Sequence, residues 1–270
     1  MSQLNDYYGF QSTPFSRAID SAQLFQCPSF LELQARLSFS LSEQLPALIT
    51  GDVGVGKSTA MRAFTHPLDR QLFPVIYLSN PHLKPATLYR QILLGLQVEP
   101  AFYFGTMLSQ LRDTLNDAHR LGRCPILIVD EAHQLPSALF DQLRFLLNAD
   151  MDSASRLLLI LLGQPDLALK LRFAPFDALR QRIGVSFYLS PFDLENSIGY
   201  IKHHLLVAGC QRAIFSDGFL NAVHEQSKGV PRLINNLCRI SLLLGMMQRK
   251  EVLDESDLKR ALNDLQPPLP

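Results

Sequence analysis

The sequence predicts an α/β fold: a five-stranded parallel sheet sandwiched between helices, followed by a small all-helical domain. Three observations carry this expectation. Short apolar runs alternate with helical patterns over residues 1–190, the rhythm of strands joined by crossover helices. A glycine-rich loop of the form G-x-x-x-x-G-K-[ST] stands between the first apolar run and the helical pattern behind it. After Ser190-Pro191 strand-like runs cease and helical periodicity takes over.

Taken in order, strands are predicted at residues 47–50, 74–79, 125–130, 156–162 and 185–189. Each is short, apolar and rich in leucine or β-branched residues, as strands covered on both faces must be. A helix is expected at residues 58–64, directly behind the glycine-rich loop. Leu88, Ile92, Leu93 and Leu96 mark one face of a helix after the second strand. Beyond residue 190, helices are predicted near residues 194–207, 216–226, 231–247 and 255–265. In the third of these, Leu237, Ile240, Leu244 and Met247 recur at three- and four-residue steps. The predicted domains are therefore residues 1–190 and 191–265, with a proline-rich tail at 266–270 expected to be disordered.

Composition narrows the function. The chain has 270 residues, 47% apolar and 19% charged, which suits a folded globule. Its formal net charge is +0, so any nucleic-acid contact has to come from a local patch rather than from bulk attraction. Cys27, Cys124, Cys210 and Cys238 form no C-x-x-C pair, which argues against a zinc site or a disulfide framework. His203 and His204 are adjacent, and adjacent helical residues point to different sides, unlike metal ligands. The first ten residues lack a basic start and an apolar run, and the longest apolar stretches, 157–162 and 242–247, are too short to span a bilayer. A cytoplasmic protein is expected.

The loop Gly51-Asp52-Val53-Gly54-Val55-Gly56-Lys57-Ser58-Thr59 carries the strongest chemical signal. Gly51 and Gly56 let the backbone curl until its N–H groups converge on phosphate oxygens. Lys57 is placed to reach the outer phosphates, and the Ser58 hydroxyl to ligate Mg²⁺. The helix behind the loop adds its partial positive N-terminus. Ile126-Leu127-Ile128-Val129-Asp130-Glu131 supplies the complementary half. Asp130, at the strand tip, is placed to hold the water shell of the metal; Glu131 is placed to polarise the attacking water. Asp130-Glu131-Ala132-His133 also spells the DEAH box of a helicase class, but that reading needs a second domain of the same kind, which the short helical remainder does not provide.

Further polar residues follow the strands. Gln164, after the fourth strand, is placed to touch the γ-phosphate or the attacking water. Asn80, after the second, is placed to restrain Glu131 by a hydrogen bond. In Gly229-Val230-Pro231-Arg232, proline suits a first helical position and Arg232 follows it; such an arginine reaches towards phosphates. Arg180 and Arg182 precede the fifth strand, where an arginine faces a neighbouring subunit and stabilises charge in that neighbour's site.

Together these residues resemble AAA+ ATPases, and the resemblance spans residues 7–265. Tyr7-Tyr8-Gly9-Phe10 with Pro14-Phe15, then Leu162-Gly163-Gln164-Pro165-Asp166-Leu167, Gln181-Arg182-Ile183 and Gly229-Val230-Pro231-Arg232, are similar to the ExeA-like subgroup. That resemblance implies Tyr8 and Phe10 beside adenine, Gln164 as sensor 1, Arg182 rather than Arg180 as arginine finger, and Pro231-Arg232 as sensor 2. It implies ATP with Mg²⁺ as cofactors and a homo-oligomeric ring or filament. Members without membrane or cell-wall-binding appendages resemble the transposition regulators of the MuB, TniB, TnsC and IstB type. These imply ATP-dependent assembly on double-stranded DNA and regulation of a partner transposase. His82, Lys84 and Thr87 occupy the segment that faces DNA in TnsC-like filaments. The alternatives are an ExeA-type secretion ATPase and a protein remodeller with no DNA role.

Overall fold

The computed structural model describes residues 3–79, 84–148 and 155–265. Five parallel strands form one sheet among these residues: β1 (Ala47–Thr50), β2 (Val75–Leu78), β3 (Ile126–Val129), β4 (Leu158–Gly163) and β5 (Val185–Tyr188). Their spatial order is β2-β3-β4-β1-β5. Central position explains composition. Every residue of β1, β3 and β4 is buried, whereas the edge strands β2 and β5 mix buried with exposed positions. Three strands begin later than predicted, β2, β3 and β4, and the first two share one reason. Pro74 and Pro125 have no N–H to donate, so they cap the ladder through their carbonyls, which accept from Ile126 and Leu158 at 2.8 Å.

Helices α1 (Gln3–Tyr8), α2 (Pro28–Ser42), α3 (Lys57–Thr65), α4 (Pro85–Gly95), α5 (Phe104–Arg120), α6 (Ser137–Leu146), α7 (Pro165–Lys170) and α8 (Asp177–Arg180) accompany the sheet region in chain order. Four more follow: α9 (Leu194–Val207), α10 (Asp217–Ser227), α11 (Pro231–Met247) and α12 (Glu255–Leu265). None of the described helices is long and apolar enough to cross a membrane.

The residues gather into two compact units. One holds Pro28–Val53 and Lys57–Leu189, with a core built from Leu48, Leu127, Leu159 and Leu161 of the sheet and Leu88, Ile92, Leu111 and Phe140 of the helices. The connection from β1 through α3 leads past β4 and β3 to the far edge, while β5 lies on the other side of β1. Such a reversal opens a crevice at the carboxyl ends of the strands, the usual ligand position in open parallel sheets.

The second unit holds the chain up to Cys27, the loop Gly54–Gly56 and the chain from Ser190 onward. Sequence order assigns residues 1–27 to the sheet domain; they group with the helices instead. The cause is burial. Tyr8, Phe10 and Phe15 are at most 3% exposed in a core with Ile201, Phe219, Ile234 and Leu242. The backbone is tied there too: Gln11 N–H donates to Ala208 O at 2.8 Å, and Arg212 to Tyr8 O at 2.9 Å. The tail 266–270 lies outside the described residues. All four cysteines are buried free thiols.

His204 on α9 is a titratable group buried against this second core. Its ring stacks on Phe15 at 5.2 Å and meets Tyr200 edge-on at 4.5 Å, and it is 5% exposed. Burial, with a smaller contribution from neighbouring His203, lowers its pKa to about 4. The folded-state value lies below the unfolded one, so the stabilisation is present above the ordinary histidine range and is lost as pH falls from 6.5 through 4. The full loss is on the order of 3 kcal/mol. Urea midpoints at pH 7.0 and about pH 4.5 should show this loss in the wild type and a clearly smaller one in His204→Phe; equal losses in both proteins would remove His204 as the cause.

Candidate active site

Strand β1 delivers the chain to the glycine-rich loop, and Gly51 N–H donates to Gly163 O at 3.2 Å, fastening the loop's start to the end of β4. Gly54 and Gly56 adopt φ of +87° and +106°, backbone that side-chain-bearing residues rarely reach. A Cβ built on Gly56 would have nothing within 4 Å. Glycine is required there by backbone conformation and by the open cradle in front of it. Helix α3 starts at Lys57, so its first N–H groups follow directly on the curl. Lys57 itself is 7% exposed, and its ammonium donates to Gly51 O at 2.7 Å and Asp52 O at 3.0 Å. Two neutral carbonyls are weaker partners for a buried ammonium than phosphate oxygens. Val55 is buried, Thr59 is half-buried, and Val53 is exposed; Asp52 accepts from the Tyr188 hydroxyl at 3.3 Å.

Asp130, 7% exposed at the end of β3, gathers three donors. Ser58 Oγ donates to its Oδ2 at 3.0 Å, and the Tyr77 hydroxyl donates a short hydrogen bond to the same oxygen. Glu131 N–H donates to Oδ1 at 2.8 Å. Three donors on one carboxylate hold it in one orientation. Burial, and then the bond to Asp130, push the Tyr77 phenol up to about 12. The sequence does not single out Tyr77, because it sits in an apolar run. Its signal emerges from strand pairing: Tyr77 lies opposite Ile128, and Asp130 is two residues further on the same face.

These hard oxygen donors suit Mg²⁺, which prefers a few protein oxygens and keeps its waters. Among the described residues no cluster of three or more histidines, cysteines or carboxylates could hold a metal. A cation at Ser58 and Asp130 would therefore draw the rest of its shell from water and phosphate.

Glu131 follows in the left-handed conformation, φ 52° and ψ 33°, at a cost of about 1–2 kcal/mol for a residue with a side chain. Its side chain is 42% exposed. Its Oε2 lies 3.5 Å from His133 Nδ1. Gln164, which caps α7 after β4, places its Nε2 3.2 Å from His133 Nε2. His133 thus stands between two expected catalytic groups, a position the four-letter box does not suggest.

The remaining expected residues are more dispersed. Asn80 and His82 lie outside the described residues. Lys84 is exposed at the N-cap of α4, makes no side-chain cap, and accepts through its carbonyl from Thr87 N–H at 2.9 Å. Tyr8 and Phe10, expected beside adenine, stack their rings on each other at 5.6 Å inside the helical core, and the Tyr8 hydroxyl donates to Lys250 O. Pro231 is the first residue of α11; Arg232 is exposed, and its N–H donates to Gly54 O at 3.3 Å. Arg180 is engaged with Asp177 on its own helix at 2.8 Å, and Arg182 donates to Ala178 O at 2.8 Å.

Residues 40–171 match the family described as AAA domain. Solved structures with the same fold include Cdc6p from Pyrobaculum aerophilum, with a TM-score of 0.74, 15% identity, and coverage of 95% of this chain and 71% of that one. Drosophila ORC bound to DNA gives 0.75 and 16%, covering 98% and 66%. The RuvB Holliday junction branch migration motor of Thermotoga maritima gives 0.61 and 17%, covering 90% and 70%. The fold is that of a P-loop AAA+ protein. In sequence, the chain is 30% identical over 258 residues to General secretion pathway protein A of Aeromonas hydrophila. The match takes in 94% of this chain and 47% of that protein, so the chain spans about half the length of this curated relative. The matched residues of the AAA domain include Lys57, Ser58, Tyr77, Asp130, Glu131, His133 and Gln164.

Loss of the Tyr77 hydroxyl should be felt through the metal. Tyr77→Phe keeps the ring but leaves Asp130 Oδ2 with one donor, and removal of such a supporting partner typically costs about 10-fold or more in metal affinity. Titrating Mg²⁺ against nucleotide affinity should show the midpoint moving up by about that factor, with metal-free nucleotide binding unchanged. An unmoved midpoint would show that Ser58 and the Glu131 N–H suffice to orient Asp130.

Proposed function

We propose that this chain is a Mg²⁺-dependent ATP hydrolase that works as an assembly of like subunits. The observation that carries the reading is the bond from Ser58 to Asp130 beside a left-handed Glu131. It joins the helix behind the glycine-rich loop to the acidic strand tip, next to a second carboxylate. Lys57 and the loop N–H groups bind phosphate charge. Ser58 and Asp130 would hold Mg²⁺, which would neutralise part of that charge when bound. Glu131 orients and polarises the attacking water, and the Gln164 amide answers to the γ-phosphate. Arg232 contributes as sensor 2, and Arg182 acts in a neighbour's site, where a finger of this kind is worth about 10³–10⁵ in rate. Adenine is the expected base from the family resemblance.

Two substitutions separate binding from chemistry. Lys57→Ala should abolish nucleotide binding, because it removes ground-state charge from the phosphates. Glu131→Gln should keep binding and stop turnover, because the carboxylate acts only as bonds change. Normal hydrolysis by Glu131→Gln would overturn the base assignment. Arg182 is tested by mixing. Neither Arg182→Ala nor Lys57→Ala should hydrolyse ATP alone, yet together they should regain activity at interfaces pairing an intact pocket with an intact arginine. Specific activity that ignores dilution and shows no rescue on mixing would sink the trans role.

The client is proposed on two grounds that point apart. The 30% identity to a general secretion pathway protein supports a secretion-type ATPase. The resemblance to transposition regulators supports ATP-dependent assembly on double-stranded DNA, with a transposase as partner. For that reading the exposed Lys84 opens α4 where no side chain caps the helix, which suits a phosphate. Backbone contacts of this sort fall steeply with salt and vary little with sequence. DNA binding measured across a salt series with ATP and with ADP should require ATP, and should weaken in Lys84→Ala with ATP affinity unchanged. Absence of DNA binding even at low salt would leave the secretion-type reading in place.

A further inference from the structure

We propose that Lys170 is a positioning residue: it clips the turn after β3 from its far side, keeps Glu131 left-handed, and so places the Glu131 carboxylate for catalysis. The proposal rests on the hydrolytic reading above and adds a residue to it. Glu131 enters the 3₁₀ turn Ala132–Gln134 from a left-handed backbone. A residue with a side chain stays in that region only where its surroundings over-determine it. On the near side, Glu131 N–H is fastened to Asp130 Oδ1 at 2.8 Å. Within the turn, Glu131 O accepts from Gln134 N–H at 2.9 Å, and Ala132 O from Leu135 N–H at 3.1 Å. On the far side the ammonium of Lys170 donates to His133 O at 3.2 Å and to Leu135 O at 2.6 Å.

Lys170 is the last residue of α7, the helix that begins after Gln164. A cation is favoured at a helix C-terminus, which accounts for a basic residue there. It does not account for an ammonium that reaches past its own helix to two carbonyls of another element. A third contact sets its direction: the ammonium lies 5.0 Å from the centre of the Phe140 ring on α6, whose face attracts a cation. Burial lowers the Lys170 pKa, so the charge is kept here against a desolvation cost. The backbone N–H of Gln164 also crosses to the turn, donating to His133 Nδ1 at 3.5 Å. That bond is long and neutral, whereas bonds from an ionised donor are roughly twice as strong as neutral ones. Lys170 therefore supplies most of the polar hold that α7 has on the turn.

The consequence falls on the second acid and spares the first. Ser58 and Tyr77 hold Asp130 whatever happens at Lys170, so sites for phosphate and metal stay in place. Without the clip, the turn relaxes towards right-handed backbone and carries the Glu131 side chain with it. A displacement of about 1 Å in a group that must meet the attacking water costs about 10²-fold in rate.

Lys170→Met removes the donor and the charge while keeping an apolar stem. Its kcat should fall about 10- to 100-fold, with KM for ATP and the Mg²⁺ midpoint unchanged. Lys170→Arg, which still donates and still suits the face of Phe140, should recover most of that loss. Hydrogen exchange gives a readout independent of turnover: amides 132–135 should exchange faster in Lys170→Met than in the wild type, with those of α3 unchanged. Should Lys170→Met not fold, Lys170→Gln takes its place, with a smaller loss of the same kind. A lysine that only stabilised the fold would lower Tm in Lys170→Met and leave kcat of the folded protein at the wild-type value. That result overturns the proposal, as would a loss of ATP affinity equal to the loss of kcat, no recovery in Lys170→Arg, or unchanged exchange at 132–135. Wild-type protein with no ATP turnover would overturn the hydrolytic reading instead, and exchange alone would then decide whether Lys170 holds the turn.

Discussion

The Asp130 carboxylate is the point at which the separate parts of the site become one object. It takes a hydroxyl from α3, a phenol from β2 and an amide from its own following residue. A buried carboxylate with fewer donors would carry a desolvation penalty of several kcal/mol; satisfied three times, it becomes a rigid acceptor instead. That rigidity fixes Ser58, which is the second residue of α3, and so fixes the end of the phosphate loop against the sheet. It also fixes the peptide of Glu131. The left-handed turn that follows is tolerated because its N–H is already engaged.

The same arrangement explains why the two acids have opposite environments. Asp130 is buried and saturated, whereas Glu131 has 42% of its side chain exposed and a single close histidine partner. A carboxylate that organises a metal's waters should not move. One that accepts a proton from water must be able to change partners. Adjacent residues in a regular strand would alternate faces but share rigidity. Ending β3 at Val129 and turning left at Glu131 gives the two acids different surroundings.

Much of this was legible in the sequence, and the limits have physical causes. The five strands and the helices of the C-terminal half follow from apolar period, because a sheet buried on both faces leaves little freedom in residue type. The phosphate loop and the acidic strand tip were readable because their geometry demands particular residues at fixed spacing. The contacts of Tyr77 and His133 were not, since each meets a residue distant along the chain, Asp130 after β3 and Gln164 after β4. Tyr8 and Phe10 were expected beside adenine from the family resemblance; their rings, with that of Phe15, lie in the core of the helical unit.

A net charge of +0 sets a final constraint on how the proposed assembly could act. A single neutral subunit gains little from long-range attraction, and one lysine such as Lys84 gives only a weak, screened contact. Repeating that contact along a duplex changes the arithmetic, since each added subunit binds at the high effective concentration set by its neighbour. Interface formation then governs affinity for the client more than the client-facing residues do. Since Arg182 is proposed to read the neighbour's nucleotide, ATP state would enter through the interface and be multiplied by subunit number. Neutrality of the free chain is on this argument a condition for control: a strongly basic subunit would hold DNA whatever nucleotide it carried.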